Sequence, residues 1–146
     1  MSDQGIIISI CSSRDKHVAK TPVVQGYLRE GVGLEGDSHA VGGDRQVSFL
    51  AKEAIDKIKQ DKSDITSGMF GENIVVEGID FKVMKKETRL QIGEQAVVEI
   101  TQIGKECHSP CSIYKEVGYC IMPEQGLFAK VICSGAITAG DHVKLI

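Results

Sequence analysis

Short apolar runs separated by glycine-bearing turns occupy most of the chain, and their lengths are those of strands rather than helices. Residues 6–11, 23–29, 46–50, 73–76, 96–103, 129–133 and 142–146 are each rich in branched or aromatic side chains. The clearest period-two segment runs from Gln95 to Ile103 and would place Val98, Ile100 and Gln102 on one face of a strand. Only residues 51–60 follow the helical period. There Ala54, Ile55 and Ile58 form an apolar stripe, and Lys52, Glu53, Asp56, Lys57 and Lys59 lie off it. A helix this short and amphipathic has to lay its stripe across a barrel or sheet. Many short strands with one or two short helices predict a mainly β fold, a closed or nearly closed β-barrel. The 146 residues contain no repeat, low-complexity tract or linker, so a single domain over residues 1–146 is expected.

Charge narrows the partners. A formal net charge of -3 argues against a broad nucleic-acid-binding face and leaves room only for a local anion site built from a few placed residues. The first residues lack the basic and apolar stretches of a secretory signal. No segment is apolar for the ~18 residues of a membrane span, so no membrane partner and a cytoplasmic location are expected. Five cysteines, an odd number, then read as reduced thiols rather than a disulfide framework.

Two loops stand out. The stretch from Gly31 to Arg45 is too long and too polar-ended for a plain hairpin turn, and long loops in compact folds often carry function. Its glycines do not follow the dinucleotide or P-loop spacing. Within it His39, beside Asp37, either donates to a ligand or caps the loop. Arg45 offers a planar donor fork to phosphate, carboxylate or oxoanion, or else forms a solvated salt bridge to Asp44 or Glu35. The segment Gly68-Met69-Phe70-Gly71-Glu72-Asn73 permits a sharp turn; Asn73 could present donor and acceptor to a heterocycle, or tie a loop. His17 and His142 carry no pattern and read as surface or strand-end residues.

The third candidate is the segment Gly104 to Glu116. Ser109 and Pro110 read as the N-cap and first position of a short helix, with Cys111 in its first turn. A thiol there feels the positive helix end and the nearby Lys105, both of which favour the thiolate. Thiolate is the form that binds metal or carries a second sulfur. The alternative is a cysteine that packs as a small apolar residue. That packing role is assigned to Cys11 and Cys133, which lie in apolar β runs. Cys107 and Cys120 stay undecided; with Cys111 and either His108 or His39 they could supply four ligands to zinc.

Six segments in order resemble the MOSC domain, found at the carboxyl end of molybdenum cofactor sulfurases and in small stand-alone bacterial proteins. They are residues 33–39 (Gly-Leu-Glu-Gly-Asp-Ser-His), 45–48 (Arg-Gln-Val-Ser), 68–74, 101–105, 109–111 (Ser-Pro-Cys) and 122–131. The resemblance implies a MOSC-like β-barrel and a pocket that holds a molybdopterin-type cofactor or receives sulfur for one. It makes Cys111 the molybdenum ligand or persulfide carrier, and so the catalytic residue. Gly36, Asp37, His39, Arg45, Asn73 and Lys105 become candidates to hold the cofactor. It implies as partners a cysteine desulfurase or a molybdenum cofactor biosynthesis protein. Neither a pyridoxal-phosphate desulfurase domain nor the extra amino-terminal β domain of the amidoxime-reducing kind is expected within these 146 residues, which favours a carrier or cofactor-handling role. Two other readings stand beside it: a small molybdenum-dependent reductase of N-hydroxylated compounds served by an electron donor, and a non-enzymatic zinc or structural module.

Overall fold

The computed structural model describes residues 4–14, 20–38, 40–43, 45–60, 68, 70, 72–81, 84–104 and 126–146. In chain order the elements are β1 (Gln4–Ser12), β2 (Thr21–Val23), β3 (Gln25–Arg29), β4 (Gly33–Leu34), β5 (Val47–Ala51), α1 (Lys52–Lys59), β6 (Ile74–Glu77), β7 (Arg89–Ile92), β8 (Ala96–Ile103), β9 (Leu127–Cys133), β10 (Gly135–Thr138) and β11 (His142–Leu145).

Seven of these strands close into a barrel. The order β11-β7-β8-β9-β5-β6-β1 returns on itself through pairing of β1 with β11, which leaves β2 outside the ring on β1. Closure removes the sheet edges that an open array of such short strands would expose. Every pair in the ring is antiparallel except β5 and β6. Two consecutive parallel strands need a crossover, and α1 lies within that connection. β10, β3 and β4 form a separate three-stranded sheet.

Alternation along the strands fills the barrel. Ile7, Ile10, Phe49, Ile74, Val76, Val98, Ile100, Leu127, Ala129 and Val131 all belong to one buried cluster. Val98 and Ile100 share the inner face as the period-two reading of residues 95–103 predicts, but the register shift between Ile100 and Gln102 puts Gln102 on the outer face instead. Leu50 and Val75 alternate with cluster residues, so they face outward, yet both are buried. The helix packs against their strands, with Ile55 of its predicted stripe buried.

The predicted run 23–29 is in fact two strands, because Val24 breaks the ladder between β2 and β3 and is largely exposed. The glycine-rich stretch is not wholly a loop: β3 and β4 form a hairpin, with Leu28 opposite Leu34 and Val32 N–H donating to the Arg29 carbonyl at 3.0 Å. A two-residue strand leaves no periodicity for a sequence to show. Cys133, expected in the core, is exposed. It is the last residue of β9, four residues beyond Ala129, where pairing with β5 ends.

Candidate functional site

Among the described residues, Gln102, Ser48 and Asn73 fall in one row on the outer face of the barrel wall. Register places Gln102 opposite Phe128 and Phe128 opposite Ser48, and Ser48 is bonded in turn to Asn73 at the start of β6. Cys11 closes the row, its N–H donating to the Asn73 carbonyl at 2.6 Å. Neighbouring strands lie ~4.8 Å apart, so this transverse row crosses five strands in about 19 Å.

Asn73 is fully buried and is the joint of the row. Its Oδ1 accepts from the Ser48 N–H at 3.0 Å and the Ser48 hydroxyl at 3.2 Å, and its Nδ2 donates to the Cys11 carbonyl at 3.0 Å. One carboxamide thereby ties β1, β5 and β6 together where the parallel pair begins. Of the two sequence readings, the tie is the one these bonds display.

Asp37 is equally enclosed. Its Oδ1 lies 2.8 Å from Lys20 Nζ, and the two side chains are 0% and 1% exposed. The same oxygen accepts from Ser13 N–H at 3.0 Å, while Ser38 N–H donates to the Ser13 carbonyl at 2.7 Å. A buried pair of this kind adds little net stability, because desolvation offsets attraction, but removing one partner strands the other charge. What Asp37 offers the glycine turn is therefore position. Gly36, beside it, is exposed and has φ +84°, a left-handed conformation that other residues adopt at a cost.

The turn before Asn73 is held from inside. Glu72 is fully buried, and its carboxylate accepts from Gly68 N–H at 2.7 Å and Phe70 N–H at 3.1 Å. Burial pushes its carboxyl above the ordinary range, with those amides and Lys20 pulling the other way. Lys20 N–H donates to the Gly68 carbonyl at 2.7 Å, which draws this turn against the segment entering β2. Gly68 has φ +89°, and a Cβ there would collide with the Lys20 main-chain oxygen. Sequence reasoning missed Lys20 and Glu72. The motif containing Glu72 was visible, but a lone acid in a glycine turn does not announce that it faces inward.

Cys11 sits over this arrangement, its Sγ 3.3 Å from where a Cβ on Gly68 would stand. It is buried, yet it lies outside the apolar cluster of the barrel. Burial and then the charge of Glu72 push its thiol up to about 12, against the pull of Lys20. At pH 8 the thiolate fraction would be on the order of 10⁻⁴. Cys133 by contrast is exposed. Iodoacetamide at pH 8 is expected to label Cys133 in the folded protein and Cys11 only after denaturation, as read by peptide mass spectrometry. Equal labelling of the two before denaturation would contradict the placement of Cys11.

Arg45 lies at the opposite end of the row and is exposed. Its Nε donates to Gln102 Oε1 at 2.9 Å, and its guanidinium carbon is 5.4 Å from the centre of the Phe128 ring. Glu35, one of its expected acid partners, is engaged by Arg29 instead, and Asp44 lies outside the described residues. Among the described residues no carboxylate pairs with Arg45. Gln102 in turn donates from Nε2 to the Gly104 carbonyl at 2.9 Å, and Gly104 N–H donates to the Gly126 carbonyl at 2.7 Å. The guanidinium is thus linked through Gln102 to Gly104 and Gly126, the described residues on either side of 105–125.

Cys111, Lys105, His39, Cys107, Cys120, His108 and His17 lie outside the described residues, as does the helix expected after Ser109. His142 begins β11 at the surface, with Nδ1 3.1 Å from Gln4 Nε2. No three His, Cys, Asp or Glu side chains among the described residues are grouped to hold a metal ion. Nor is any helix among them long and apolar enough to cross a membrane.

A family model for the MOSC domain matches residues 36–144, which is most of the chain and includes both Arg45 and Cys111. The chain belongs to the MOSC domain family. Solved structures share its fold. YuaD protein from Bacillus subtilis is similar at TM-score 0.80 and 16% identity, over 97% of this chain and 95% of that one. YiiM from Geobacillus stearothermophilus is similar at 0.74 and 19%, over 97% and 75%. YiiM from Escherichia coli is similar at 0.72 and 17%, over 98% and 69%. At such identities the likeness is one of fold. No curated protein matches in sequence. MOSC domains are linked in general to molybdenum cofactor and sulfurase-like chemistry. The barrel with its α1 crossover is therefore the MOSC fold as this chain builds it.

Proposed function

We propose that this MOSC protein binds a molybdopterin-type molybdenum cofactor, or carries sulfur for one, with Cys111 as molybdenum ligand or persulfide-bearing thiolate. The observation that carries the reading is Arg45. It is an exposed guanidinium braced on Gln102 and Phe128, with no acid partner among the described residues, at the root of the segment that bears Cys111. That arrangement fits an anionic cofactor, because the guanidinium keeps N–H groups for phosphate after Nε is committed to Gln102.

Arg45 and Lys105 would then hold the cofactor phosphate, and the Gly36 to His39 turn would approach it through backbone and imidazole. Asp37 and Asn73 serve the same site by fixing that turn and the starts of β5 and β6. When bound, the cofactor would supply a thiophilic, redox-active metal, for which a cysteine thiolate is a suitable soft ligand. The protein residues would bind and orient; Lys105 and the helix end that the sequence predicts after Ser109 would favour the thiolate form of Cys111. The same thiolate character suits a sulfur that is accepted from and passed to a partner. A cysteine desulfurase or a cofactor-biosynthesis protein in the cytoplasm is the matching partner class.

Arg45→Ala is expected to weaken uptake of isolated molybdenum cofactor about tenfold or more, equivalent to about 1.4 kcal/mol. As an exposed substitution it should change stability by only about 0.5 kcal/mol. Equilibrium dialysis with molybdenum quantified on the protein reads the first and thermal denaturation the second. Unaltered uptake by Arg45→Ala would remove the observation on which the proposal rests.

A further inference from the structure

We infer that Lys20 is a positioning residue, holding the Gly36–Ser38 turn in its binding geometry through the buried ion pair with Asp37. Its functional consequence rests on the cofactor reading above; its structural part does not. Lys20 lies before residue 36, where the family match begins, so the match does not include it.

One carboxylate oxygen gathers three separate pieces of chain. Asp37 Oδ1 takes the Lys20 ammonium at 2.8 Å and the Ser13 N–H at 3.0 Å. The peptide beside it completes the link, since Ser38 N–H donates to the Ser13 carbonyl at 2.7 Å. Lys20 is itself anchored through its N–H to the Gly68 carbonyl at 2.7 Å. The end of β1 and the entry to β2 are already joined by the ladder that pairs Ser12 with Thr21, and the Lys20–Asp37 pair, with the Ser38–Ser13 backbone bond, fastens the glycine turn to that corner. An apolar pair of similar volume would stabilise the fold as well or better. The charged pair differs in direction: a charge-assisted bond fixes the carboxylate, and the carboxylate fixes the peptide groups on either side. The turn follows the two-residue strand β4 and passes through Gly36 at φ +84°, so it has little ladder of its own to hold it.

The test removes both charges together, so that neither is left buried alone. In Lys20→Met/Asp37→Asn, amide hydrogen exchange at Asp37, Ser38 and Ala40 is expected to be at least tenfold faster than in the wild type. Amides of β8 and β9 should keep their protection, and isolated molybdenum cofactor should bind at least tenfold more weakly. Wild-type exchange in the turn would overturn the inference whatever the melting temperature does. Faster exchange with undiminished affinity would overturn the link to binding. If wild-type protein takes up no cofactor at all, the proposed function falls while the exchange result stands, because exchange reads the cofactor-free protein. Lys20→Arg keeps the charge but moves the donor, and serves if the double variant does not fold. It should shift both readouts in the same direction by a smaller factor, and wild-type values in it would count against the inference.

Discussion

Replacing Cys111 by serine is expected to abolish retention of molybdenum cofactor, or of persulfide sulfur, while leaving the barrel folded. Hydroxyl oxygen is a poor substitute for thiolate on both counts: it stays protonated at neutral pH, and it neither binds a thiophilic metal strongly nor bears a second sulfur. The expected loss in affinity is at least a hundredfold, or about 2.7 kcal/mol. Residue 111 belongs to the connection between β8 and β9, outside both strands. The melting temperature should accordingly move little. Metal and cyanolysable sulfur on wild type and variant give the comparison. A Cys111→Ser protein that loads as the wild type does would place the reactive group elsewhere, with Cys107 and Cys120 the next thiols to replace.

The largest effect on stability is expected at Asn73. Asn73→Leu keeps the volume but removes the acceptor of the Ser48 amide and hydroxyl and the donor to the Cys11 carbonyl, all at a fully buried position. Each buried polar group left unmet costs about 1–3 kcal/mol, so a loss of about 4 kcal/mol is expected. In a chain of this length that corresponds to a fall in melting temperature of roughly 10 °C. Chemical denaturation read by far-ultraviolet circular dichroism measures it directly. A loss below about 1 kcal/mol would mean that the three strands do not depend on this side chain.

Sequence patterning showed most of the barrel because its strands alternate with the regularity a closed sheet demands. Residues 96–103 were read with the bounds of β8, and α1 lies within the predicted 51–60. The strands that escaped notice were short or weakly apolar: β4 has two residues, β10 begins with glycine, and β7 alternates as Arg-Leu-Gln-Ile over only four. A closed barrel was expected, but the strands that close it were not legible, since β1 and β11 join the two ends of the chain through a ladder of three residue pairs.

For the site, residue type suggested which side chains could bind, and the fold decided which way they face. Arg45 has the exposure that its donor fork suggested. Asp37 and Asn73 sit in the expected loops but turn inward, one to an ammonium and the other to two strands. Nothing in the sequence pairs Lys20 with Asp37, because the link is a contact across 17 residues that only the folded loops create. Cys11 shows the same limit. Its apolar run predicted burial, whereas the polar company of Glu72 and Lys20 depends on the packing of distant turns.

The most direct test of the central claim is stoichiometry: molybdenum by elemental analysis and pterin by fluorescence, on wild-type protein mixed with isolated molybdenum cofactor and freed of excess. The account predicts molybdenum and pterin retained together, close to one of each per chain. Zinc retained in their place, or neither metal nor pterin nor labile sulfur on the protein, would contradict it.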